Sequence, residues 1–383
     1  MQEAQTERHS AIVIGAGQSG LAAGYYLAAR GIDSVILEAD RRVGDVWRRR
    51  YDSLRLYSPA KGNALPGLAF PLSRNEFPTG RQMGDYLEAY ATHHSLPVRT
   101  GVRVAELSAD GGTGDGAGFR ITTSDGTLLA DQVVVATGAF RQPRVPDIAA
   151  QLSPSIRQIH AHDYRGPEQL AEGPVLVVGL SHSGADLAYE AANAGHVTIL
   201  SGRVHGELPF PIDSWRGRNV AWPLIRFLAA TLLNLRTPIG RRMAAQFRKG
   251  GAPLLRVRRP ELLAAGVDLR TSRTTGARDG RPVLDDGTAL DVANVIWCTG
   301  YRPDFGWIHP SIVGGDGWPA QRRGVVESAP GLYVLGVPFL FSFASMLVAG
   351  AATDARYVVE RLAARATATD GGPARAEASS SPV

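Results

Sequence analysis

Residues 11–40 read AIVIGAGQSGLAAGYYLAARGIDSVILEAD, and this stretch restricts the fold more than any other part of the chain. An apolar strand from Ala11 to Ile14 runs into a glycine turn. A helix ending near Gly31 follows, and then a second apolar strand from Ser34 to Leu37. Two strands joined by a helix are parallel neighbours, because a crossover long enough to hold a helix brings the chain back in the same direction. In the turn, GAGQSG, each glycine has a mechanical role. Gly15 makes the bend, Gly17 lets backbone approach a pyrophosphate, and Gly20 allows the helix to pack on the strand. Gln18 and Ser19 open the helix, whose free amides and positive dipole end favour an anion. Glu38 follows Gly20 by 18 positions, the spacing at which an acid hydrogen-bonds ribose hydroxyls.

A second copy starts at Val175. VLVVGLSHSGADLA leads through ADLAYEAANAG to the strand HVTIL at His196–Leu200. Gly179 and Gly184 match the outer glycines, but Ser181 replaces the middle one, with His182 and Ser183 beside it. A nucleophile elbow, G-x-S-x-G, is not met, because Ser183 stands where its last glycine is needed for the sharp turn. His182 adjoins Ser181, and adjacent residues on a turn seldom face each other, so it reads as a loop residue near a cofactor. The count of 18 from Gly184 reaches Gly202, with no acid nearby and Arg203 next to it. An acid would repel a 2′-phosphate and arginine binds one, so this unit favours NADPH over NADH. Ser201 is a further candidate phosphate donor.

Two more apolar strands, in QVVVATGAF (Gln132–Phe140) and NVIWCTGYRPD (Asn294–Asp304), break at Thr-Gly. Chain crossings placed after both give an α/β protein of two Rossmann-like dinucleotide-binding domains, one inserted in the other: an outer domain from 1–145 with 303–365, and an inserted NADPH domain from 146–302. The small polar segment 366–383 is expected to be a disordered tail. VPFLFSFASMLVAGAATDA at Val337–Ala355 reads as a closing helix for the outer domain, with Phe339, Phe341 and Phe343 as core rather than substrate contacts.

Composition narrows the function. With 44% hydrophobic and 20% charged residues over 383 positions, the chain is globular, and it is too long for one ordinary core. Cys298 is the only cysteine, which removes an internal disulfide, a redox dithiol and a cysteine-built metal site, and fits a reducing, cytoplasmic location. His160 and His162 form H-x-H without a carboxylate cluster, so no metal is expected. The acid-bearing N-terminus is not a secretory signal, and no apolar run approaches the roughly 18 residues of a membrane span. A net charge of +5, without a nucleic-acid-binding signature, suits anionic cofactors. Ser214–Pro260 holds eleven Lys or Arg and no Asp or Glu around WPLIRFLAATLLNL. A helix covering a pocket or simply packing on the NADPH domain is favoured there over membrane contact.

RRVGDVWRRRYDSLRLYSPA, FPTGRQMGDYLEAYA, PRVPD, IHAHDYRGPEQLAEGPVLVVG, GRVHGELPF and TGYRPD follow in order along the chain. Together with both turns and the ATG at Ala136–Gly138, this series resembles the flavin-containing monooxygenases, including the plant enzymes of auxin synthesis. The resemblance implies FAD held by Gly15, Gly17, Gly20, Glu38 and Trp47, NADPH on the inserted domain, and Gly138 and Gly300 at backbone crossings near the cofactors. It implies that NADPH reduces FAD, that dioxygen adds to give a flavin hydroperoxide, and that one oxygen atom passes to a small organic substrate. No side-chain nucleophile is required, and a homodimer is compatible with it. Five positions depart from the family pattern. Asp45 replaces the second glycine of G-G-x-W. Pro154 and Ile156 replace the Phe and Gly of F-x-G-x-x-x-H, leaving His160. Tyr57 or Ser58 stands where animal members carry an asparagine, and Ser181 interrupts the second turn. An NADPH-dependent FAD reductase without oxygen transfer and a catalytically silent nucleotide sensor remain open alternatives.

Overall fold

The computed structural model describes residues 6–111, 118–248 and 251–370. The first third contains β1 (Arg8–Ile14), α1 (Gln18–Ala28), β2 (Ser34–Glu38), α2 (Asp45–Arg48), α3 (Gly80–His93), β3 (Val98–Thr100), β4 (Val104–Asp110), β5 (Gly118–Thr123) and β6 (Gly126–Val135). Next come β7 (Gln142–Pro143), β8 (Arg157–His160), β9 (Val175–Val178), α4 (His182–Asn193), β10 (Thr198–Ser201), α5 (Trp222–Thr231), α6 (Pro238–Arg248) and α7 (Arg259–Ala264). The remainder holds β11 (Asp268–Arg270), β12 (Thr274–Arg278), β13 (Arg281–Leu284), β14 (Asn294–Trp297), β15 (Tyr301–Arg302), β16 (Ile308–His309), β17 (Leu332–Val334) and α8 (Val348–Asp370).

One sheet has the order β16-β4-β5-β6-β1-β2-β3. Its centre is parallel, β6 beside β1 beside β2, whereas β4, β5 and β6 run antiparallel, a hairpin region not foreseen from the sequence. Along one edge, β6 changes neighbour partway. Gly126–Ala130 pairs with β5, and Val133–Val135 pairs with β17. The buried run of valines thus lies between two parallel strands, as parallel strands covered on both faces require. The second sheet, β11-β10-β9-β14-β8, is parallel throughout, and its central strands β9 (VLVV) and β14 (NVIW) are wholly buried. Between the sheets the chain crosses twice, and the crossings are tied to each other as the short antiparallel pair β7–β15.

A buried carboxylate fastens the two parts. Asp186, 3% exposed on α4, accepts from Tyr51 Oη (3.1 Å) and Tyr57 Oη (2.8 Å) and pairs with Arg256 (3.0 Å). Three donors offset the cost of burying the charge.

The strand ending QVVV stops at Val135, so ATG lies beyond it in the loop. The expected tail boundary is corrected at its near end. Ala-containing turns carry α8 to Asp370, and Thr367 Oγ1 donates back to Ala364 O at 2.9 Å, so 366–370 are helical. Residues 371–383 lie outside the described residues. α8 packs along α1 as a closing helix.

Candidate functional site

The two glycine turns are built on one plan. In the first, Gly15 N donates to Leu37 O (2.7 Å) and Ala136 N to Ile14 O (2.8 Å). In the second, Gly179 N donates to Ser201 O and Cys298 N to Val178 O, each at 2.8 Å. Ala136-Thr137-Gly138 and Cys298-Thr299-Gly300 are therefore matching strand ends that abut the turns. Gly15 and Gly179 sit at φ +107° and +115°. A Cβ there would fall 2.7 Å from Ala136 O and 2.3 Å from Cys298 O. At Gly20 and Gly184 it would fall 1.8 Å and 1.7 Å from the carbonyl oxygens of Gly15 and Gly179. Close packing of helix on strand leaves no room for any other residue.

Gly17 differs from both. Nothing lies within 4 Å of its Cβ position, and no side chain caps α1, so the first-turn amides open onto free space. That space is a cavity of about 550 Å³. Gly15, Gly17, Gln18, Ser19, Glu38, Trp47 and Gly138 all line it; Gly20 is packed behind them. Glu38 closes one end: its carboxylate accepts from Ala16 N (2.8 Å) and Asp40 N (3.0 Å), which aims it along the strand end. Burial raises its pKa, and the two amides oppose the shift. A cradle of this size, with open glycine, free helix amides and a fixed acid, fits the adenosine and pyrophosphate of a dinucleotide.

Sequence reasoning missed several walls of this cavity. Gly336, at φ +72° just beyond β17, reaches it from a distant segment, with Ser19 Oγ 3.2 Å from its Cβ position. The signal was a third apolar strand ending in glycine, LYVLG. Arg49, Arg50 and His162 also line it, and Arg50 Nη1 donates to Tyr301 Oη at 2.5 Å. Asp45 proves compatible with the turn before α2. Gly44 alone takes the left-handed conformation (φ +87°), and Asp45 follows at the helix start, paired with Arg48 at 3.1 Å.

In the second turn Ser181 is the N-cap of α4, yet its side chain makes no capping bond. Its hydroxyl, like that of Ser183, has no hydrogen-bond partner among the described residues. The His182 ring packs 4.6 Å from Tyr57, and burial pushes its pKa down to about 4, so it is neutral near pH 7. Arg203 is exposed and makes no ion pair among the described residues. Ser201 is placed differently from the sequence expectation. It matches Leu37, a core position, and its fully buried hydroxyl donates to Ser272 O (2.9 Å) beside Thr274 Oγ1 (2.9 Å). The structural counterpart of Glu38 is Gly202, whose Cβ position is 2.6 Å from Leu180 N; the next residue, Arg203, carries the side chain.

His160 ends β8, whereas His162 lies in the turn beyond it, so H-x-H does not share a strand face. His160 Nδ1 accepts from His162 N (3.0 Å), which leaves Nε2 to donate to Gly300 O (3.1 Å). Both ring nitrogens are committed, and burial lowers the pKa. His160 therefore holds the Gly300 crossing in place as a neutral ring. Among the described residues no group of three or more His, Cys, Asp or Glu could hold a metal.

The family model described as pyridine nucleotide-disulphide oxidoreductase matches residues 12–207. A CzcO-like oxidoreductase of Geobacillus kaustophilus is 36% identical over 349 residues, 91% of this chain and 96% of that protein. Indole-3-pyruvate monooxygenase YUCCA1 of Oryza sativa subsp. japonica is 34% identical over 284 residues, 73% of this chain and 66% of the plant enzyme. Among solved structures, a flavin-containing monooxygenase of Stenotrophomonas maltophilia is similar with a TM-score of 0.73 at 25% identity, covering 94% of this chain and 100% of that one. Burial pushes the Cys298 thiol well above the ordinary range, and no second cysteine exists, so dithiol chemistry within one chain is excluded. On these matches the chain belongs to the pyridine nucleotide-disulphide oxidoreductase family, in its flavin-containing monooxygenase-like branch.

Proposed function

We propose that the protein is an NADPH-dependent FAD monooxygenase, in which 1–145 and 303–365 form the FAD domain and 146–302 the NADPH domain. The observation that carries this reading is the pair of matching turns on parallel sheets, one opening into a cavity closed by an acid and the other followed by an exposed arginine. The α1 amides and Gly17 hold the FAD pyrophosphate, and Glu38 takes the ribose hydroxyls. Trp47, Arg50 and the glycines at 138 and 336 shape the remaining wall. Gly179, Gly184 and the Ser181–Ser183 amides hold the NADPH pyrophosphate, with Arg203 on the 2′-phosphate. Bound FAD supplies hydride acceptance and oxygen activation. The chain's contribution is orientation and exclusion of water. His160 fixes the crossing between the domains, and the Asp186–Tyr51–Tyr57–Arg256 cluster fixes their relative placement.

Balanced, NADPH, a proton, dioxygen and substrate give NADP+, water and oxygenated substrate. The test is anaerobic reduction of the purified yellow protein by NADPH, followed by mixing with oxygenated buffer while spectra are recorded. A transient species distinct from oxidised and reduced flavin is expected. Direct return to oxidised flavin, with peroxide equal to the NADPH consumed, overturns oxygen transfer and leaves a reductase or oxidase.

A further inference from the structure

The segment favoured above as a pocket cover or packing helix buries one face, with Trp222 3% and Ala229 0% exposed, and leaves a second apolar face uncovered. Trp215, Val220, Leu224, Phe227, Leu232 and Ile239, on and around α5 and α6, are between 45% and 73% exposed. Val220, Leu224 and Phe227 are spaced i, i+4, i+7 and form one stripe. In sequence, Ser214–Pro260 carries eleven Lys or Arg and no Asp or Glu; of these, Arg256, Arg258 and Arg259 pair with Asp186, Glu261 and Glu207.

Beside this segment lies a second cavity of about 610 Å³, lined by Arg236, Arg322, Arg323 and Arg361 around Phe341 and Tyr357; it adjoins the first cavity through Phe341 N, which donates to Ser345 Oγ at 3.2 Å. The Arg323 guanidinium is 3.9 Å from the Tyr357 ring centre and 4.5 Å from that of Phe341. Arg236 lies 5.3 Å over Phe341, and Arg361 5.1 Å over Tyr357. Among the described residues Arg236, Arg323 and Arg361 make no ion pair. Arg322 reaches Glu327 only at 3.9 Å, with both side chains exposed. Arg323 Nε is buried with no partner, and the residue is held at φ +53°. The buried Asp354 is hydrogen-bonded by Ser345 and interacts electrostatically with Arg323 without forming an ion pair with it. The end of the segment that carries the stripe is joined to the cleft wall: Leu235 N donates to Phe341 O (2.9 Å) and Phe343 N to Leu233 O (2.8 Å). Leu235 and Arg236 themselves line the cleft.

Free phosphate would satisfy the arginines but leave the apolar stripe in water. A second copy meeting this face about a twofold axis would set arginine against arginine. A bilayer with anionic headgroups satisfies both halves, phosphates in the cleft and apolar side chains at the acyl boundary. We propose that the α5–α6 face and the Arg236–Arg322–Arg323–Arg361 cleft are a docking surface for an anionic lipid membrane. Among the described residues no helix is long and apolar enough to cross one, so the chain lies on the surface.

The test is co-sedimentation of the full chain with phosphatidylcholine vesicles, with and without phosphatidylglycerol. Binding is expected only with phosphatidylglycerol and should weaken as salt rises. Arg236→Glu with Arg361→Glu should cut it by about tenfold or more, and Phe227→Ser by about fivefold, with flavin content and circular dichroism unchanged. The proposal is overturned by wild-type protein that stays in the supernatant with phosphatidylglycerol, by variants that bind like wild type, or by no vesicle binding together with an Arg-dependent thermal shift by inorganic phosphate, which assigns the cleft to a soluble anion. A dimer dissolved by Phe227→Ser, without vesicle binding, also overturns it and assigns the face to a second copy.

Discussion

The first and second glycine turns share the strand-end hydrogen bonds and the close glycine packing that fix their shape and differ at the two positions that face outward. Gly15 and Gly179, and Gly20 and Gly184, meet carbonyl oxygens at nearly the same distances. At the middle position one turn has glycine and the other Ser181. After the second strand one has Glu38, locked on Ala16 N and Asp40 N, and the other has Gly202 followed by an exposed Arg203. The difference teaches that these glycines fall into two classes. Those that pack the turn are dictated by the fold, and the outward position is chosen by the ligand.

The largest effect should come from breaking the shared part. In Gly20→Ala or Gly184→Ala the new methyl group meets backbone oxygen rather than a yielding side chain, which costs roughly 1–3 kcal/mol or more as overpacking. Gly20→Ala should purify without flavin. Gly184→Ala should keep its yellow colour yet fail to be reduced by NADPH. Visible spectra and anaerobic titration read the two outcomes, and equal loss of flavin in both would show that the turns do not act separately.

Next in size is the strand-end contrast. A charge-assisted contact from Arg203 to a phosphate is worth about 1.5–3 kcal/mol, so Arg203→Ala should lower the NADPH-to-NADH ratio of kcat/KM by about tenfold to a hundredfold. The NADH value itself should hardly change. An unchanged ratio removes Arg203 from the site.

A smaller effect is expected at Gly17. Because no protein atom lies within 4 Å of its Cβ position, Gly17→Ser should leave the stability of the apoprotein within about 0.5 kcal/mol of wild type while weakening FAD retention. A fall in apoprotein Tm would mean the position packs the turn after all.

Local pattern made both turns readable, because each is a contiguous strand, bend and helix with spacing that geometry demands. The match of Glu38 with Gly202 was legible for the same reason, since equal element lengths carry the count. What escaped notice depends on residues far apart in sequence. Gly336 reaches the cavity only because β17 enters beside β6 from the far end of the chain. Ser201 read as a phosphate donor until pairing put it at the core position that Leu37 fills in the first unit. His160 stood as the one remaining match to F-x-G-x-x-x-H, and both its nitrogens prove to be occupied by backbone groups 2 and 140 residues away. The apolar run at 222–235 read as a lid, because hydropathy reports burial preference without saying whether the fold provides a cover.

The smallest effect, and the one that bears most on oxygen transfer, is expected at Ser181. Its hydroxyl has no partner among the described residues, so Ser181→Gly removes no internal bond and costs only the added backbone freedom, roughly 0.5–1 kcal/mol. If the hydroxyl donates to the NADPH pyrophosphate, its loss removes about 0.5–1.5 kcal/mol of binding, and NADP+ should leave about threefold to tenfold faster in a stopped-flow displacement measurement. A flavoprotein that transfers oxygen gains from keeping NADP+ beside the flavin while dioxygen reacts, because a covered site excludes water. The variant should therefore consume NADPH at a similar rate but divert more of it to peroxide. Slower NADP+ release in Ser181→Gly would reverse this reading: serine would then be a tolerated obstruction where glycine allows closer approach, and the two turns would differ in ligand grip only through Glu38 and Arg203.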